Sequence, residues 1–128
     1  MIKQIFANTF IDYCNQKDIR GFEYKITSAD RDGDRNLNPH ALPGNALDVS
    51  FRYRKDYAPI FMYNDFFKWL MSNWPYRAGI DNTTGNIHIH LDLGGNRPEH
   101  QAMPYFFKED NGKFQFQIKS EKDIERTS

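Results

Sequence analysis

One cysteine, no excess of either charge and no long apolar run mark this chain of 128 residues. The single Cys14 has no partner within the chain, so folding requires no internal disulfide and no oxidising compartment. Lys and Arg number 17, as do Asp and Glu, and the two signs are mixed along the chain. That leaves no electrostatic footprint for nucleic acid, which is therefore not an expected partner. No apolar stretch approaches the roughly 20 residues that a membrane-spanning helix needs, so no membrane partner is expected either. Lys3, Gln4, Asn8 and Asp12 break up the segment that a secretory leader would make apolar, and synthesis in the cytoplasm is the expectation. Internal repeats, low-complexity tracts and linkers are also lacking. A chain of this length fills one domain, since domains commonly run to about 100–150 residues.

What is present has clear periodicities. Ile2, Ile5, Phe6, Phe10 and Tyr13 follow helical spacing over Ile2–Gln16, and Gly21 after Lys17 and Arg20 closes that helix. Phe22–Thr27 alternates with period two and predicts a half-buried strand, followed by a polar loop from Ser28 to Pro39. Ala46–Phe51 predicts a second strand. Pro59 opens a helix whose stripe includes Ile60, Phe61, Tyr63, Phe66, Phe67, Leu70, Met71 and Trp74, and Pro75 stops it. Tyr76–Asp81 and Asn86–Leu93 flank a turn at Asn82–Gly85, and Asp110-Asn111-Gly112 suits a late hairpin between Phe106-Phe107 and Phe114–Phe116. The charged tail from Lys119 to Ser128 is expected to fray. This order predicts a small α+β domain, an antiparallel sheet with helices packed on one face. The aromatic stripe is expected to be core, and Cys14 a small core residue; Trp69 or Tyr76 stacking on a sugar ring is the alternative use.

Three of the four histidines lie in two unusual segments. The first runs from His40 at the end of the polar loop to Asp48 inside an otherwise apolar strand. In the second, Ile87-His88-Ile89-His90-Leu91-Asp92-Leu93, alternation puts His88, His90 and Asp92 on one face and the aliphatic residues on the other. A loop His, a strand Asp and a strand His could meet around one ion. Such a set leaves a fourth position for water, whose pKa zinc lowers to about 7. An all-nitrogen-and-oxygen set suits Zn²⁺ without excluding Mn²⁺ or Fe²⁺. The alternation of Asp30, Asp32 and Asp34 mimics a calcium loop but lacks its glycine and its closing glutamate, where Ala41 falls, so an EF-hand is rejected.

The stretch His40-…-Gly44-Asn45-Ala46-Leu47-Asp48 resembles the His-x-x-Gly-x-Ala-x-Asp motif of the M15 zinc peptidases, which are D-alanyl-D-alanine carboxypeptidases and phage L-alanyl-D-glutamate endolysins. Ile87–His90 resembles the His-x-His strand of the carboxypeptidase branch, and Ile26–Arg31 the strand ending Thr-Ser-Gly-Tyr-Arg. The likeness spans about residues 22–95 in the family's order. It implies the family's fold, with His40, Asp48 and His90 as zinc ligands, His88 as the group for proton transfer or oxyanion stabilisation, and Arg31 holding a substrate carboxylate or carbonyl. It also implies a monomer acting on peptidoglycan stem peptides, in the manner of a phage lysis enzyme released to the cell wall. There are two departures from the family pattern. Pro43 adds one residue between His40 and Gly44, and Ile87 stands where the family carries an acidic general base. Asp92 would orient His90 from behind, while Glu99 and His100 are secondary candidates for the base. A non-catalytic virion or wall-binding module of the same fold is the alternative that Ile87 suggests. A cupin-like metal barrel fits less well, because neither Leu93 nor Gly94 supplies its glutamate.

Overall fold

The computed structural model describes residues 1–127. The helical spacing at the N-terminus becomes α1, Ile2–Lys17, which buries Ile2, Phe6, Phe10 and Tyr13 along one stripe. It stops where Asp18 turns left-handed, at φ 52°, and the Ile19 amide bonds back to the Cys14 carbonyl. Pro59 precedes α2, Ile60–Asn73, and Trp74 ends it in extended conformation immediately before Pro75. Both helices cover the same face of one sheet.

That sheet has seven strands: β1 Phe22–Ser28, β2 Ala46–Tyr53, β3 Asp56–Tyr57, β4 Arg77–Asp81, β5 His88–Asp92, β6 Tyr105–Asp110 and β7 Lys113–Gln117. Their order is β1-β2-β5-β4-β6-β7, with the short β3 hanging on β2. All pairs are antiparallel except β4 with β6. The α+β class and single small domain therefore stand, and the sheet is mostly rather than wholly antiparallel. The parallel pair exists because residues 93–104 carry the chain from the end of β5, past β4, to start β6 alongside it.

Between helices and sheet lies an aromatic core. The Phe66 ring meets those of Phe6, Phe10, Tyr13 and Phe51 at centroid distances of 6.1, 5.8, 4.8 and 5.1 Å. Each such pair contributes about 0.5–1.5 kcal/mol beyond area burial. The Tyr63 hydroxyl accepts the Phe51 amide at 2.7 Å, fastening α2 to β2. Phe61, expected in the core stripe, is instead 61% exposed, because α2 needs only one face against the sheet. Trp69 stays with the core edge, beside Tyr13 and Phe66, with its indole N–H donating to Gln16. The tail differs from expectation as well. Ile124 is fully buried and its carbonyl accepts the Lys108 ammonium, so one apolar residue docks the charged segment. No helix among the described residues is long and apolar enough to cross a membrane.

Candidate metal centre

The face of the sheet away from the helices carries the titratable residues. Alternation along β5 sends Ile89 and Leu91 into the core and His88, His90 and Asp92 to the opposite side. Register then assembles the neighbours: Asp48 of β2 lies directly across from His90, and on the other side Gly79 of β4 does. Phe107 of β6 pairs with Gly79 in turn. A Cβ at residue 79 would lie 2.3 Å from the Phe107 ring, so this glycine lets the ring lean across β4 to 5.8 Å from the His90 ring.

His40 reaches the sheet from the long loop. Asn38 caps a short turn at Pro39–Ala41 by accepting the His40 amide at 3.0 Å, and His40 is 3% exposed. The loop is pinned where Asp30 accepts the Gly44 amide and the Asn45 amide group donates to the carbonyls of Pro39 and Gly94. Gly44 has φ +66°, a left-handed conformation that glycine adopts without strain.

Three donor atoms converge there. His40 Nε2 lies 3.3 Å from His90 Nδ1 and 3.4 Å from Asp48 Oδ1, and the latter two are 2.9 Å apart. Two ligands held about 2.1 Å from a tetrahedral ion stand about 3.4 Å from each other, which two edges of the triangle match, while the 2.9 Å edge is a hydrogen bond between His90 and Asp48. The hydrogen bonds behind the rings agree. His40 Nδ1 donates to the Ala29 carbonyl at 2.7 Å, and His90 Nε2 donates to Asp92 at 2.7 Å. In the neutral rings, this directs both remaining lone pairs into the triangle. Asp92 is fully buried and accepts the Gly94 amide, and the Arg77 guanidinium stands 3.0 Å away as an ion pair without hydrogen-bond alignment.

Electrostatics follow from this crowding. Burial pushes the Asp48 carboxyl up, but hydrogen bonds and charge from His40 and His90 reverse the shift and hold it well below the usual range. Burial opposes protonation of His90, yet Asp48 and Asp92, one at each ring nitrogen, push it up to about 10. Both carboxylates thus favour the His90 imidazolium, and a divalent cation binding at Nδ1 would displace its proton. The cluster thus could hold a metal ion; its nitrogen and oxygen donors fit zinc and leave the metal's identity open.

The other predicted residues fall around this triangle. Arg31 reaches Asp48 Oδ2 at 3.6 Å from the rim, with its side chain 48% exposed. His88 does not join the triangle: its Nδ1 donates to the Asn86 carbonyl at 3.0 Å, and its Nε2 faces Glu109 at 3.7 Å. Glu99 pairs with Arg97 at 2.6 Å on the wall formed by residues 93–104, and His100 packs over Gly95 on the same wall. Trp69 and Tyr76 are absent from the lining of the cleft. Sequence alone did not single out Arg77, Gly79, Asp81 or Glu109. Arg77 and Asp81 carried a signal as charged ends of an otherwise apolar strand, and Glu109 did by alternation with Phe107.

The centre opens into a cleft of about 910 Å³ walled by the loops at 29–45 and 93–104. A second hollow of about 570 Å³, lined by Ser50, Tyr57, Tyr63 and Ile87 among others, adjoins it at Asp48, Asn86 and His88. Compared with known protein families, curated proteins and solved structures, the chain matches none.

Proposed function

We propose that this protein is a zinc-dependent peptidase of the M15 type that hydrolyses peptidoglycan stem peptides. One observation carries the proposal: the donor atoms His40 Nε2, His90 Nδ1 and Asp48 Oδ1 converge within 2.9–3.4 Å of one another in an open cleft. The motif order that resembles the family supports it. When bound, zinc supplies Lewis-acid polarisation of a carbonyl and activation of water at neutral pH. His40, Asp48 and His90 hold the ion, and Asp92, backed by Arg77, fixes the His90 tautomer. Arg31 offers a guanidinium at the rim to a substrate carbonyl or carboxylate. His88, on the same strand face as His90 and lining the cleft, takes the role that an acid at residue 87 would have had. Glu109 pushes its pKa up against the opposing effect of burial, as do Asn86 and Asp48. The hollows on both sides of Asp48 give an extended peptide room to cross the centre. In this proposal the protein works as a monomer, made in the cytoplasm and acting on the cell wall during phage lysis.

Metal analysis together with hydrolysis of purified stem peptides tests this. The expected result is one firmly held zinc per chain, lost with activity in His40→Ala, Asp48→Ala and His90→Ala. Full activity of His90→Ala would refute it. Zinc binding without hydrolysis would favour the second reading, a wall-binding module of the same fold, which Ile87 at the family's base position motivates.

A further inference from the structure

A second group of ligand-type side chains lies on the same sheet face, beside the first. Asp81 of β4, His88 of β5 and Glu109 of β6 occupy neighbouring positions on adjacent strands, and each offers one donor atom within 4.8 Å of the others. His88 Nε2 and Glu109 Oε2 are 3.7 Å apart, too long for a good hydrogen bond but within a few tenths of an ångström of the spacing of about 3.4 Å for two ligands of one ion. The Asn86 carbonyl takes the Nδ1 proton of His88, so in the neutral ring the Nε2 lone pair points at the carboxylates. Asp81 is 1% exposed and fixed by the backbone amides of Thr83 and Gly112. No Lys or Arg pairs with Asp81 or Glu109 among the described residues: Lys108, their neighbour on β6, turns to the other face and binds Asn82 and the Ile124 carbonyl. Two partly or fully buried carboxylates and one imidazole thus face each other with no Lys or Arg in ion-pair contact, although the charge of Lys108 reaches Asp81 from the other face.

We propose that Asp81, His88 and Glu109 form a second divalent-cation site, separate from the His40–Asp48–His90 centre. One nitrogen and two carboxylate oxygens suit zinc or manganese, and the remaining positions on the ion open to the cleft. It is the weaker of the two, because Asp81 already spends both oxygens on amide donors. Its consequence rests on the peptidase proposal: an ion here occupies the lone pair that His88 needs for proton transfer, so excess metal inhibits.

Zinc titration of the metal-free protein by calorimetry, with bound metal counted by equilibrium dialysis, tests the site. The expected result is two zinc ions per chain in the native sequence. Glu109→Gln and His88→Asn each remove the weaker one and leave the tighter one. His90→Ala removes the tighter one and leaves the weaker. Saturation of the native protein at one zinc, or retention of two by both Glu109→Gln and His88→Asn, overturns the proposal. Two variants with folding checked by circular dichroism keep the result from depending on either one. Peptide hydrolysis is followed in parallel and should fall by about 10²-fold or more when the second equivalent binds. Absence of hydrolysis at every zinc level refutes the peptidase proposal while leaving the stoichiometry to judge the second site.

Discussion

Asp92→Asn isolates the part of the centre that no ligand swap can reach. The carboxylate is fully buried, accepts the His90 Nε2 proton at 2.7 Å and the Gly94 amide at 2.8 Å, and faces the Arg77 guanidinium at 3.0 Å. An amide of the same shape has one acceptor oxygen. If that oxygen stays with Gly94 and Arg77, the NH₂ group faces His90 and forces Nε2 to accept. The His90 proton then moves to Nδ1, into the triangle where a metal ion would bind. Changes behind a metal-binding histidine typically weaken binding by about 10–100-fold, and that is the expected loss of zinc affinity. The uncompensated Arg77, itself 7% exposed, adds a cost to folding of about 3–5 kcal/mol, as when one partner of a buried ion pair is removed. Competition against a chromophoric chelator reads the first quantity, and urea unfolding in the presence of a chelator reads the second. A zinc affinity within threefold of the native protein would refute the tautomer argument, whatever happened to stability.

Zinc affinity should rise about tenfold per pH unit between about pH 7 and 9, because binding expels one proton from His90, whose pKa is pushed up to about 10; a flat profile by calorimetry in buffers of different ionisation enthalpy would contradict this. The same shift sets a stability trend for the metal-free protein. A folded pKa above the usual 6.5 contributes stabilisation in full below about 6.5 and loses it as the pH climbs through about 10, so the urea midpoint should fall over that range and His90→Gln should flatten the fall. Gly79→Ala should destabilise by about 1–3 kcal/mol, since the new methyl group would sit 2.3 Å from the Phe107 ring and must displace it from beside His90; an unchanged melting temperature would show that the ring moves freely.

The helices and most strands were legible because burial imposes a period. Ile2, Phe6, Phe10 and Tyr13 can share a face only on a helix, and Ile87, Ile89 and Leu91 can leave His88 and His90 together only on a strand. Prolines at 59 and 75 bracketed α2 for equally local reasons. The same local logic failed where one residue outweighs its segment: Ile124 docks a tail that composition assigns to solvent. It failed too at Phe61, whose apolarity does not tell which side of α2 it occupies.

The candidate ligands were also nameable from sequence, as residue types at telling positions in otherwise apolar or loop segments. Their meeting was decided elsewhere. Asp48 faces His90 because β2 and β5, 42 residues apart, pair in one register, and a slip by one residue would send Asp48 to the other face. His40 arrives through hydrogen bonds within its loop and from its Nδ1 to the Ala29 carbonyl just past β1. Arg77, Asp81 and Glu109 acquire their places only through the pairing of β4 with β5 and, in parallel, with β6. The sequence by itself determined which side chains share a face, since that follows from the period of each segment. Only the tertiary structure decided which of those faces meet, because strand order and register depend on contacts between residues far apart in the chain.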